Sequence, residues 1–372
     1  MRALVTGGAG FLGSHLSERL AGQGARVTIV DDLSTGRLEN LEALRPTPGP
    51  LPLGPDAGAA ELIVSDLGHA LEGPLAGRSF DRVYHLAASV GVRRVMDDPA
   101  DAIERNVVLT ARLMRWLVAG GLAGFGAAAG AVGPAGAAGP AGGTSGRVLI
   151  ASSSEVYGKS ERAPFAEGDD SVFGPTTALR WSYACSKALD EHLALAHHQR
   201  HGLGVVIARL FNTVGPRQVG DYGMVLPRFV GAALRDEPLE VHGDGEQVRC
   251  LCDVRDVVDG LCRLTEHPGA VGGVFNIGSD QPMTISELAA RVVRVVGSQS
   301  LVVKTPYQRV FGAGFEDLRR RVPDLRKVRA LIGFDPGVPF DQTIRDVARW
   351  IADADGCARG SRDRFGRHGA GR

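Results

Sequence analysis

The sequence predicts an α/β fold, a doubly wound parallel sheet with helices on both faces, and three features carry that expectation. Short apolar runs alternate with helical patterns through the first half of the chain. The first apolar run leads through a glycine-rich turn into a helical pattern. The second apolar run ends on a pair of carboxylates, Asp31 and Asp32. At 372 residues there is ample material for a core, as one large domain or as two lobes.

Arg2-Ala3-Leu4-Val5 is the first run. Thr6-Gly7-Gly8-Ala9-Gly10-Phe11-Leu12-Gly13 then turns into a helix, and Val27-Thr28-Ile29-Val30 follows as the second strand. Strand, glycine turn, helix, strand and acid in that order make a Rossmann-like dinucleotide site. Gly7 and Gly10 let the backbone approach a pyrophosphate, and Gly13 permits close packing of helix on strand. The diphosphate would rest on the free amides at the helix start, which brings Phe11 and Leu12 into the cofactor site. Asp31 is the candidate acceptor for a ribose 2′-hydroxyl, and a carboxylate there repels a 2′-phosphate, so NAD is expected rather than NADP. Residues 61–65, 82–86, 147–152 and 204–209 read as further buried strands. Ligands of such a sheet bind beyond the carboxyl ends of its strands, where Asp31, Asp66, 86–89 and 152–154 fall.

Tyr183-Ala184-Cys185-Ser186-Lys187 stands at the start of a helical pattern. A phenol ionises near pH 10, so it acts as a base at neutral pH only where a cation stabilises the phenolate. Lys187, one turn further on, shares the helix face of Tyr183 and can supply that charge. The spacing alone also describes two surface residues; the dinucleotide site upstream gives it a redox partner.

These motifs together resemble the extended short-chain dehydrogenases/reductases, the NAD-dependent nucleotide-sugar epimerase, dehydratase and decarboxylase group. The resemblance runs from the glycine turn through His85-Leu86-Ala87-Ala88 and Ser152-Ser153-Ser154-Glu155-Val156-Tyr157-Gly158 to Tyr183 and Lys187. It continues through Phe211-Asn212-Thr213-Val214-Gly215-Pro216-Arg217 to Arg321-Val322-Pro323-Asp324, covering roughly residues 1–350. It implies an NAD-binding domain over 1–211 and 249–277 and a smaller C-terminal α/β lobe for the nucleotide sugar over 212–248 and 278–352. Composition adds flexible insertions at 46–60 and 119–146, rich in glycine, proline and alanine, and a disordered glycine- and arginine-rich tail at 353–372. Leu86, Ala87, Ala88 and Asp66 become cofactor contacts by the same resemblance; Asp66 also reads as a helix N-cap. The family pairs two helices per subunit into a dimer interface, which points to 99–118 and 181–201 and to a homodimer.

In the family's chemistry Tyr183 takes the proton of a sugar hydroxyl, Ser153 hydrogen-bonds the same oxygen, and Lys187 binds the nicotinamide ribose and holds Tyr183 near phenolate. Ser153 also fits an ordinary hydroxyl capping a turn. Oxidation at C4 is common to the group, so the fate of the 4-keto sugar decides the reaction. Ser154 stands where 4,6-dehydratases carry an acid, which disfavours dehydration. Ser154-Glu155 and Arg180-Trp181-x-Tyr183 resemble UDP-glucuronate decarboxylases, with Glu155 acting near the carboxylate or C5 by repulsion, water activation or proton delivery. Residues 87–92 look closer to the epimerases, and Gly223-Met224-Val225 lacks an arginine that UDP-xylose-forming decarboxylases often carry. A UDP-glucuronate decarboxylase giving UDP-4-keto-pentose or UDP-xylose is therefore expected, with a UDP-sugar 4-epimerase as the alternative. A 4,6-dehydratase or a non-catalytic nucleotide-sugar-binding protein stands further off. Arg180, Asn212, Arg217, Arg249 and Arg321, with Ser154, are the candidate substrate contacts; each arginine also fits a surface ion pair.

Composition sets the remaining bounds. Lys plus Arg, 42, equals Asp plus Glu, so no global field points to nucleic acid or to a membrane, and an anionic substrate must be held by local arginines. Five cysteines, an odd number without paired zinc spacing, fit buried core thiols in a reducing cytoplasm, and the ten histidines form no ligand set, so no metal is expected. No apolar run reaches the ~20 residues of a membrane span. The opening on a strand leaves no room for a signal peptide.

Overall fold

The computed structural model describes residues 1–44, 60–89, 98–125, 146–220, 224–311 and 318–365. Near-continuous apolar runs are buried on both faces, the pattern of a covered parallel sheet. Its strands are β1 (Arg2–Thr6), β2 (Arg26–Asp31), β3 (Ala60–Val64), β4 (Arg82–His85), β5 (Arg147–Ser153), β6 (Val205–Leu210) and, later in the chain, β11 (Val274–Ile277). They lie in the order β11-β6-β5-β4-β1-β2-β3, and every pairing is parallel. Helices Phe11–Gly22 and Val254–Glu266 cover one face over Val5, Ile29 and Val206; Pro99–Trp116 and Ser182–His201 cover the other over Leu4, Val83 and Ile150. The strand order reverses at β1, which lies between β2 and β4, and a crevice opens beyond their carboxyl ends.

After β6 the chain builds the second lobe. β7 (Thr213–Val214) pairs with β10 (Cys252–Asp253), and β8 (Leu239–His242) pairs with β13 (Val302–Thr305). β9 (Val248–Cys250) lies between β12 (Pro282–Thr284) and β14 (Arg320–Arg321). Helices Val225–Leu234, Ile285–Val296 and Phe340–Phe365 enclose a core that includes Phe229, Val241, Leu288 and Ile344. Thr284 and Glu287 form a reciprocal capping box at the start of Ile285–Val296, which fixes where that helix begins.

Two domain boundaries move. Arg249 and Cys250 belong to the three-stranded sheet of the lobe, paired with Met283 and Pro282, so the return to the main sheet begins with the helix at Val254 and not at 249. The last helix runs to Phe365, into the stretch whose composition suggested a disordered tail from 353. No proline interrupts that stretch, and its alanines and arginines favour a helix. Residues 366–372, 45–59 and 126–145, which hold the rest of the tail and most of both insertions, lie outside the described residues. Cys250, Cys252 and Cys262 are buried free thiols, as the core reading expects, and burial pushes Cys250 and Cys262 up to about 12.

Candidate active site

The crevice is a cavity of about 550 Å³ running from the glycine turn to the second lobe. Gly7 ends β1 with φ 70°, and a Cβ there would lie 2.8 Å from the amide nitrogen of Ala87. A Cβ on Gly13 would collide with the Gly7 carbonyl, so any side chain at 13 pushes the helix off the strand. Gly10 caps helix Phe11–Gly22 with no side chain over the helix start. Gly7, Gly10, Phe11, Leu12, Gly13, Asp31, Asp66, Leu86, Ala87 and Ala88 all line this cavity.

Two acids at strand ends are already engaged. Asp31 accepts the amides of Ala9 (2.9 Å) and Leu33 (2.8 Å), which fixes its carboxylate against the glycine turn. Burial raises its pKa and those amides oppose the rise. Asp66 accepts from Gly68 and His69 at 2.8 and 3.3 Å, so it is the N-cap of helix Leu67–Glu72 as well as a cavity residue.

The catalytic candidates converge where β5 ends. Ser153 follows the strand, and its hydroxyl accepts the Glu155 amide at 3.2 Å, the turn-capping bond expected of a strand-end serine. Ser153, Ser154, Glu155, Arg180 and Tyr183 line the cavity together. Lys187 does not face it in the same way. Its ammonium donates to Asp190 Oδ2 at 2.8 Å, and the two side chains are 3% and 0% exposed.

This pairing changes the electrostatics expected of the Tyr-Lys pair. Burial raises the Tyr183 pKa well above that of an ordinary phenol, and the negative charges of Glu155 and Asp190 add to the rise. A hydrogen bond from Ser153 and the charge of Arg321 pull the other way without prevailing. Burial and these charges therefore favour a protonated phenol at Tyr183, not the near-phenolate that Lys187 alone would favour.

Glu155 sits between two guanidiniums. Arg180 Nη1 and Nη2 donate to its two oxygens at 2.9 and 3.1 Å, and Arg321 Nη2 reaches Oε1 at 2.5 Å. Burial is the strongest single influence and favours the acid form, but the charges of Arg321 and Arg180 with their hydrogen bonds outweigh it and bring the carboxyl down to about 2. Glu155 is thus a carboxylate at any working pH and has no proton to deliver.

The other candidate substrate residues divide. Asn212 and Arg249 line the cavity, and Arg249 is steered by the carbonyls of Val248 (2.9 Å) and Leu318 (2.8 Å). Arg217 is also at the wall, but its guanidinium is taken by Glu18 at 2.6 Å and by Ser14 at 3.2 Å on the glycine-turn helix. It ties the two lobes together instead of presenting an open fork to a diphosphate, because φ 71° at this residue turns it back toward that helix. Buried side-chain atoms without a partner among the described residues also face this wall, namely Asn212 Oδ1, Gln218 Oε1, Gln247 Oε1 and Arg321 Nε. The three amide oxygens accept and so suit ligand hydroxyls or N–H groups, and the Arg321 N–H suits an anionic oxygen.

Sequence reasoning missed the far end of the cavity. There Arg228 meets His242 at 2.5 Å, and Gln247 donates to the His242 carbonyl and the Tyr307 hydroxyl, both at 2.9 Å. Burial and the Arg228 charge push His242 down to about 4, so it is a neutral wall. Gln247 could have been found from its alternation with Arg249; Tyr307 comes in through the β8–β13 pairing, which leaves no local signal.

The model of a family described as NAD dependent epimerase/dehydratase matches residues 3–278. The chain belongs to that family. NAD is its cofactor, and the two glycines that no side chain could replace, the uncapped helix start and Asp31 suit that cofactor's diphosphate and ribose. A UDP-N-acetyl-alpha-D-glucosaminuronate decarboxylase of Bacillus cytotoxicus is 35% identical over 95% of this chain and 98% of its own length. UDP-glucuronic acid decarboxylase 4 of Arabidopsis thaliana is 34% identical over 92% of this chain and 67% of its own. Among solved structures, an epimerase from Methanothermobacter thermautotrophicus superposes with a TM-score of 0.79 at 27% identity, covering 97% of this chain and 94% of that one.

Proposed function

We propose that the protein is an NAD-dependent UDP-glucuronate decarboxylase that oxidises C4 of the sugar and releases carbon dioxide, giving UDP-4-keto-pentose or UDP-xylose. The observation that carries this reading is Glu155, fixed as a carboxylate between Arg180 and Arg321 beside Tyr183, with Ser154 as its neighbour. Dehydration needs a carboxylic acid to protonate the departing hydroxyl, and among the described residues the one carboxyl that lines the cavity beside Ser153 and Tyr183 is the ionised Glu155. Loss of carbon dioxide from a β-keto acid needs only that the resulting enolate oxygen be stabilised. The relatives named as decarboxylases of UDP-linked uronic acids support the same class.

Bound NAD supplies the acceptor for the hydride from C4. Tyr183, once its own proton has passed to solvent, takes the proton of the C4 hydroxyl as a phenolate, and Ser153 hydrogen-bonds that oxygen. The C5–C6 bond then breaks, and its electron pair moves onto the C4 oxygen as an enolate, held by the hydroxyls of Tyr183 and Ser153. Carbon dioxide leaves, and C5 takes up a proton. Arg321 and Arg180 keep Glu155 anionic near C5 and leave the cluster with one net positive charge to hold the substrate carboxylate. Asn212 and Arg249 face the nucleotide diphosphate, and Gly7, Gly10, Phe11, Leu12, Asp31 and Leu86 the dinucleotide.

A UDP-sugar 4-epimerase is the second reading, supported by the epimerase superposition and by the Ala87-Ala88-Ser89 wall of the cavity. Incubation with UDP-glucuronate and NAD, followed by chromatographic separation of the sugar nucleotides and mass analysis, separates the two. A UDP-pentose supports decarboxylation; an isomeric UDP-hexuronate supports epimerisation and refutes the main reading. The 2-acetamido uronate is the natural second substrate to try. A cytoplasmic homodimer without nucleic-acid or membrane partners fits this function. Helices Pro99–Trp116 and Ser182–His201 leave Ile103, Val108 and Leu189 exposed for such pairing, and among the described residues no helix is long and apolar enough to cross a membrane.

A further inference from the structure

We propose that Asp190 is a positioning residue for the proton transfer: it tethers the Lys187 ammonium and balances its charge, so that Tyr183 stays protonated until ligands enter. The inference rests on reading Tyr183 as the proton acceptor. Helix Ser182–His201 carries all three residues, with Lys187 four positions after Tyr183 and Asp190 three after Lys187. The Lys187–Asp190 contact is 2.8 Å with both side chains out of water, so neither solvent nor salt competes for the ammonium. Asp190 Oδ1 is buried and has no partner among the described residues, which leaves the ammonium as the side chain's sole donor there. A buried carboxylate in that position holds its one cation strongly, because losing it would leave an uncompensated charge.

The surroundings offer no other charge to replace the pair. From β4, His85 is bonded to Thr6 and Thr110 and is neutral, since burial and the Lys187 charge push it down to about 3. From the turn after β5 and from β14, Glu155 is matched by Arg180 and Arg321. On the helix itself Glu191 is matched by Arg209 of β6 and also meets Ser152. Asn106 of the neighbouring helix contributes a neutral bond to Ser186 at 3.1 Å. Two guanidiniums against one carboxylate leave a single positive charge at Glu155, and Asp190 is the group that cancels Lys187.

The test is Asp190→Asn in the full-length chain with NAD, with kcat for UDP-glucuronate measured across pH. Removing the negative charge, which itself disfavours the Tyr183 phenolate, also leaves the ammonium on the same helix uncancelled, so the acidic limb of the profile should move down by about one pH unit, with about tenfold faster turnover than wild type at the foot of that limb. A limb that stays in place or moves up overturns the proposal. Should Asp190→Asn not fold, Asp190→Ser is measured in the same way; if neither folds, the carboxylate is a folding element and the proposal falls. If the wild type turns over no UDP-uronate, the functional reading fails separately. The Asp190 proposal is then judged by tyrosinate absorbance on titrating the NAD-bound protein, each form measured against its Tyr183→Phe counterpart. Ionisation at lower pH in Asp190→Asn supports it, and unchanged ionisation refutes it.

Discussion

Replacing Arg180 by methionine keeps much of the side-chain volume and removes one of the two guanidiniums that hold Glu155. The Glu155 carboxyl falls from 4.5 to about 2 in the folded chain, which corresponds to about 3 kcal/mol of stabilisation. Arg321 remains in the variant and carries a comparable share of the attraction, so the expected loss at pH 7 is about 2 kcal/mol. The pH dependence follows from the sign of the change. A carboxyl depressed by folding contributes fully above its unfolded pKa near 4.5, and the contribution is lost as pH falls toward 2. Urea denaturation of wild type and Arg180→Met at a series of pH values should therefore show a gap that is widest at pH 7 and narrows as pH falls below about 4.5. Equal stability at pH 7, or a gap that does not change with pH, would refute the ion-pair reasoning.

Further substitutions probe other parts of the account. Tyr183→Phe should lower turnover by at least about a thousandfold while the calorimetric Kd for a UDP-sugar changes by less than about threefold, since the ring stays and only the proton carrier goes. Gly13→Ala should weaken NAD binding by at least about tenfold in a fluorescence titration, because its Cβ meets the Gly7 carbonyl, which is backbone and cannot rotate away. Asp66→Ala should cost about 1 kcal/mol in urea denaturation, the loss of the cap on Leu67–Glu72.

Much of the fold was legible because it depends on local rules. Apolar runs such as Val27–Val30 and the glycine turn specify a covered parallel sheet and the end where ligands enter. The Tyr183–Lys187 spacing correctly placed both side chains on one helix. It could not show that Lys187 turns to Asp190, because a choice between two partners depends on burial. The same holds for Arg217, whose motif suggests a diphosphate but whose partner, Glu18, lies far back in the chain. Glu155 is a candidate from the Ser154-Glu155 pair alone, yet its protonation state rests on Arg180 and Arg321, which only tertiary structure brings to it.

The central claim concerns the fate of C6. UDP-glucuronate isotopically labelled at that carbon, incubated with the protein and NAD, should release labelled carbon dioxide in step with the sugar consumed. Label retained in a UDP-hexuronate while the starting sugar disappears would contradict the account.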